Sequence, residues 1–157
     1  MDPASIIGIV AAACQFAELA AKGAIKGAGL LKSLKDAPVR LTELLEVVQA
    51  SKRNLAQLRG HLTEPSLSVL LPQLQVQTFQ DDIDEASNIA DELEQQIENL
   101  LGPGHQNVRG MKRLWRDVVS ISREREFIKQ FATIQRHVEQ VHRGLSGVHL
   151  ALSTKNL

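Results

Sequence analysis

The stretch FIKQFATIQRHVEQVHRGLSGVHLAL, residues 127–152, decides the fold. Its apolar positions are Phe127, Phe131, Ile134, Val138, Val141, Leu145, Val148 and Leu152, which follow one another at alternating steps of four and three. An α-helix turns once every 3.6 residues, so these steps lay eight side chains along one face. A strand would need alternation of period two. A heptad seam sustained over this length asks for a partner helix with a seam of its own.

Working outward, the chain supplies such partners. Phe79, Ile83, Ala86, Ala90, Leu93, Ile97 and Leu100 repeat the spacing, as do Leu41, Leu44, Val48, Ser51, Leu55, Leu58 and Leu62. Between the seams lie residues that stop helices: Asp36-Ala37-Pro38, Thr63-Glu64-Pro65-Ser66 and Gly102-Pro103-Gly104. Pro72 either opens the third helix or kinks it. At the front, Asp2-Pro3 places an acid at a cap and Pro in the first turn. The reading is an all-α helical bundle of four long helices plus a short helix before the last one. The helices are expected over about 3–34, 38–62, 66–101 and 122–152, with the short one over about 107–119, all in one domain. Gly23, Gly27 and Gly29 soften the final third of helix 1, each at up to about 1 kcal/mol relative to Ala.

Composition agrees with this reading. The 157 residues contain no Tyr and one Trp, with aromatics at 3%, and period-two runs of β-branched residues are missing. A chain of this length buries about two-thirds of its unfolded surface and needs no disulfide or metal to hold a core. The single cysteine, Cys14, excludes an internal disulfide and any multi-cysteine metal site. No Lys or Arg precedes Lys22, so the basic start of a signal peptide is missing and an intracellular protein is expected. The uninterrupted apolar run from Ala4 to Ala17 is shorter than the roughly 20 residues of a spanning helix.

Lys+Arg and Asp+Glu are 18 each, which argues against a nucleic-acid partner. The charges are nevertheless segregated. Residues 61–104 hold nine acids and no Lys or Arg, whereas residues 105–157 hold ten bases and four acids. Acidic helix 3 is expected beside basic neighbours. The alternative use of the excess is a basic patch at Arg109, Lys112, Arg113 and Arg116 that meets anionic lipid or an acidic partner.

Enzyme chemistry finds no foothold. His142 and His149 stand two turns apart, about 10.5 Å, too far to share a metal, and His137 is offset from His142 by five positions, so all three read as solvated flank histidines. Cys14 has small apolar neighbours and no adjacent base, which describes an inert thiol. Gly27-Ala28-Gly29 ahead of Lys32-Ser33 lacks both the glycine before the lysine and the preceding strand of a phosphate loop. Asp81, Asp82, Asp84 and Glu85 form a solvated acidic turn. No catalytic residue, metal or cofactor is expected.

Helix 1 is the unusual element. A bundle wall should carry one apolar stripe, yet Ile6, Ile7, Ile9, Val10, Ala11, Ala12, Ala13, Cys14, Phe16 and Ala17 cover the whole circumference. Either the other helices enclose it on all sides, or it is stored in the bundle for release into lipid. Gly23-x-x-x-Gly27 permits close helix approach, and Glu18 would face a pore or the bundle surface.

The opening MDPASIIGIV, the Ala-rich helix after it, the segment around Trp115 and the ending LSGVHLAL resemble the HeLo-like N-terminal domains of fungal NLR-type (STAND) proteins. The resemblance covers nearly the whole chain and implies a helical bundle related to four-helix cell-death execution domains. It implies self-association on activation, anionic membrane lipids as partners, and an NLR-type sensor acting in cis or in trans. It also implies a cytoplasmic resting state that moves to the plasma membrane. By the same analogy Ile6, Ile7, Ile9, Val10 and Phe16 would enter lipid and Glu18 would line the opening. No nucleotide-binding domain or amyloid-forming tail follows in this sequence, so an excised domain and a stand-alone member are both open. The rival reading is a protein–protein signalling or assembly module with no membrane activity.

Overall fold

The computed structural model describes residues 3–33, 41–101 and 121–155. Within them the chain is all-α: α1 (Pro3–Ser33), α2 (Leu41–Leu62), α3 (Pro65–Leu70), α4 (Gln73–Leu101) and α5 (Ile121–Lys155). Four helices are long and one is a single short piece. The helix expected over 107–119 lies outside the described residues, as do positions 38–40 at the expected start of helix 2.

Contact partners fix the topology. Phe16 of α1 meets His61 of α2, and further along α1 Gly23 meets Ser51, so the numbers rise on one helix as they fall on the other. The same inversion relates α2 to α4 through Arg59–Asp84 and Lys52–Glu94, and α4 to α5 through Phe79–Gly144 and Asp82–His137. It closes the ring from α5 to α1 through Ser146–Cys14 and Phe131–Gly27. Every neighbouring pair is antiparallel, giving an up-down-up-down four-helix bundle in which α1 packs on α5 and α2 and stands diagonally across from α4.

The predicted seams form the core. Leu44, Val48, Ser51, Leu55, Leu58 and Leu62 from α2, Phe79, Ile83, Ala86, Ala90, Leu93 and Ile97 from α4, and Phe127 through Leu145 from α5 are all buried. Val148 and Leu152 continue the α5 seam but are only partly buried.

The third helix differs from the single span expected over 66–101. The Pro72 ring crowds the residue before it, and Leu71 takes extended backbone at φ −102°, ψ 139°. The helix therefore ends at Leu70 and restarts at Gln73, with Pro72 O accepting from the Gln75 and Val76 amides at 3.0 and 3.2 Å. The six-residue α3 has its own purpose in the packing, because Leu67 is fully buried and belongs to the hydrophobic core.

The glycines of α1 also differ from expectation. α1 continues unbroken to Ser33, and Gly23 and Gly27 are points of closest approach. A Cβ at Gly23 would stand 2.5 Å from Ser51 Oγ, and one at Gly27 would overlap the Phe131 ring. The two glycines of the small-residue motif thus seat two different neighbours, α2 and α5.

Candidate functional site

α1 is a wall of the bundle and is not enclosed by the other helices. Val10, Ala13, Ala17, Ala20, Ala21, Ala24 and Leu31 face the core, while Ala4, Gly8, Ala11, Gln15, Glu18, Leu19, Lys22, Ile25, Lys26 and Gly29 face outward. Physical size explains why the sequence reads as apolar all round. Alanine and glycine count as apolar, but they expose so little area that leaving them in water costs little.

The residues singled out for lipid entry divide accordingly. Val10 is wholly in the core, and Ile6, Ile9 and Phe16 are partly buried against it. Ile7 is partly buried. Phe16 stacks on His61 with ring centroids 5.5 Å apart. Glu18 is on the surface, 3.0 Å from Lys22 one turn along. That hydrogen-bonded ammonium, helped weakly by His142, holds the Glu18 carboxyl below the usual carboxylate range. The Ala4–Lys32 helix, at 29 residues, is long and apolar enough to cross a membrane even though its uncharged run ends at Ala17. The candidate basic patch, Arg109, Lys112, Arg113 and Arg116, lies outside the described residues.

The acids of α4 find partners on α2 and α5. Lys52 reaches Asp91 at 2.9 Å and Glu94 at 3.0 Å, and those two carboxylates raise its ammonium pKa. Arg59 pairs with Asp84 at 2.5 Å. Asp82, expected in a solvated turn, and His137, expected on a solvated flank, instead meet across the α4–α5 boundary. His137 Nδ1 is 2.8 Å from Asp82 Oδ1, with both side chains more than four-fifths buried. The sequence could have shown this pair only through register, because Asp82 and His137 each stand one position from the seam residues Ile83 and Val138.

Cys14 is half-buried between α1 and α5, where burial raises its thiol pKa and a hydrogen bond with Ser146 partly offsets the rise. With Ala11, Ser146, His149 and Leu150 it lines an open groove of about 400 Å³. Among the described residues no three His, Cys, Asp or Glu side chains are grouped to hold a metal ion.

The topology gathers one further feature. The antiparallel ring places the start of α1, the end of α2, α3, the start of α4 and the end of α5 at the same end of the molecule. Residues 3–17, 65–80 and 144–154 contain no Asp, Glu, Lys or Arg. That end is therefore uncharged over three separate segments, edged by Arg59, Glu64 and Lys155, with Asp2 preceding the first. Among the described residues it also carries the most exposed large apolar side chains, Val69 at 85%, Leu74 at 81% and Leu150 at 66%. Sequence reading by periodicity misses this site because its residues come from three distant stretches that only the bundle brings together.

No protein family model, curated protein or solved structure matches this chain.

Proposed function

We propose that this chain is a non-enzymatic, HeLo-like cell-death execution domain. In this reading it rests as a soluble bundle and permeabilises membranes through α1 after it self-associates, an NLR-type sensor supplying the trigger in cis or in trans. The observation that carries the reading is α1 itself. It is long and apolar enough to span a bilayer, yet it is held as an outer wall by two neighbours and is not locked inside the core. Its inner face is mostly alanine, so pulling it away exposes less apolar area than removing a leucine-faced helix would. Release would bring Ile6, Ile9, Val10 and Phe16 out of the bundle and carry the Glu18–Lys22 pair with them. Anionic lipids are the proposed membrane partner, through Arg109, Lys112, Arg113 and Arg116. The cytoplasm is the proposed resting location and the plasma membrane the active one.

A second reading has its own support. Val10, Ala13, Ala17 and Leu31 are completely buried, which suits an assembly module that never gives up α1.

The two readings part on whether α1 must leave. Ser146 is within hydrogen-bond reach of the Cys14 thiol, so Ser146→Cys sets a second thiol opposite the only natural one and pins α1 to α5 when oxidised. The variant, clustered through a fused oligomerisation tag, is expected to release dye from anionic liposomes when reduced and to lose that activity when oxidised. Equal leakage in both states rules out α1 release, and no leakage in either state favours the assembly module.

A further inference from the structure

We propose that the uncharged end of the bundle is a lipid-docking surface, by which the intact molecule meets a bilayer end-on before α1 moves. This rests on the membrane-active reading for its partner but requires no release of α1. The site comprises Val69 on α3, Leu74 at the start of α4, Leu150 near the end of α5, and the partly buried Ile6 and Ile7 of α1.

Charge selects lipid over protein as the occupant. A protein interface clears charge from its centre but tolerates it in the surrounding polar rim, so a protein partner accounts for a charge-poor patch and less well for three whole segments, 3–17, 65–80 and 144–154, without Asp, Glu, Lys or Arg. Hydrocarbon accounts for all three, because an ionised side chain at membrane depth is expensive wherever along the chain it originates. The rest of the molecule shows that charge is not scarce. α4 beyond residue 80 and the facing side of α2 are dense with it, whereas at this end it is confined to Arg59, Glu64 and Lys155 at the edge.

Size points the same way. Four helices, each about 10 Å across, end in a face of roughly 400 Å², about half of the 800 Å² per partner in a stable protein pair. A second copy meeting this one end to end would have too little to bury. A bilayer sets no such threshold, since apolar side chains entering the boundary region contribute independently.

The geometry also gives order to activation. End-on docking places the N-terminal turns of α1, the uncharged part of the most apolar helix, against the lipid first. Glu18, Lys22 and Lys26 then stand farther from the bilayer.

The test uses the unclustered full chain and vesicles of phosphatidylcholine alone, so that basic residues gain no attraction. Wild type is expected to sediment with these vesicles, and Val69→Glu/Leu74→Glu is expected to lower the partition coefficient at least tenfold. Ile25→Glu, at a half-exposed position in the last third of α1, should stay within twofold of wild type. Val69→Trp gives a second readout: its fluorescence should shift to the blue with vesicles and be quenched by brominated acyl chains, whereas Ile25→Trp should do neither. Oxidised Ser146→Cys should dock as wild type does even though its leakage is lost, so failure of docking and failure of α1 release are seen separately. Binding confined to anionic vesicles overturns the proposal, as does equal partitioning of the double variant. A dimer in sedimentation equilibrium that Val69→Glu/Leu74→Glu dissociates overturns it in favour of a second copy.

Discussion

At the scale of the residue, the glycines show how far local propensity can mislead. Each of Gly23, Gly27 and Gly29 costs α1 up to about 1 kcal/mol against alanine, and sequence treats them alike. The structure separates them. Gly29 has nothing within 4 Å of where a Cβ would be, whereas at Gly27 that Cβ would overlap Phe131, a ring only 2% exposed. Gly29→Ala should therefore stabilise the protein by about 0.5–1 kcal/mol through helix propensity and reduced freedom of the unfolded chain. Gly27→Ala gains the same increment but adds an overpacking cost of about 1–3 kcal/mol, so its net effect should be destabilising. Urea melts of the two variants, run side by side, should move in opposite directions from wild type. If both rise, the α1–α5 contact is looser than described.

At the scale of the element, what was legible depended on length. The seams of α2, α4 and α5 repeat often enough for their inward faces to be read directly, and Leu44, Leu93 and Val141 are buried as that pattern requires. α3 has six residues, fewer than two turns, so no period can show itself, and Pro72 alone could be read as a kink or as a start. Even so, α3 holds one of the best-buried leucines. Leu67→Ala should cost about 2–5 kcal/mol, as for other fully buried leucines, although the helix that carries it is short and lies at the end of the bundle. Val69→Ala, two residues on and 85% exposed, should leave thermal melting essentially unchanged. A mild effect of Leu67→Ala would mean that α3 is only a connector. α1 was misread for a different reason, since counting apolar residues gives Ala11 the same weight as Val10. One is exposed and the other completely buried.

At the scale of the whole molecule, the charge imbalance between segments was plain in the sequence, but its arrangement in space was not. The nine acids of residues 61–104 need bases from elsewhere, and the bundle brings them from α2, with Lys52 between Asp91 and Glu94 and Arg59 against Asp84. Each such exposed pair contributes little, typically about 0.2–1 kcal/mol, so deletion of one is a weak test. The sign of a salt dependence is a stronger one. In wild type the α2–α4 boundary is attractive, and added salt, which shortens the screening length from about 30 Å at 0.01 M to about 3 Å at 1 M, should lower the melting temperature. Lys52→Glu places a third carboxylate beside two that lack any other base within the described contacts, and turns the centre of that boundary repulsive. Screening then relieves strain, so the melting temperature of the variant should rise with salt over the range in which that of wild type falls. Specific ion effects on apolar surface act on both proteins alike and cancel in the difference between the two slopes. Parallel slopes would show that these ion pairs are incidental and that the apolar seams alone hold α4 in register.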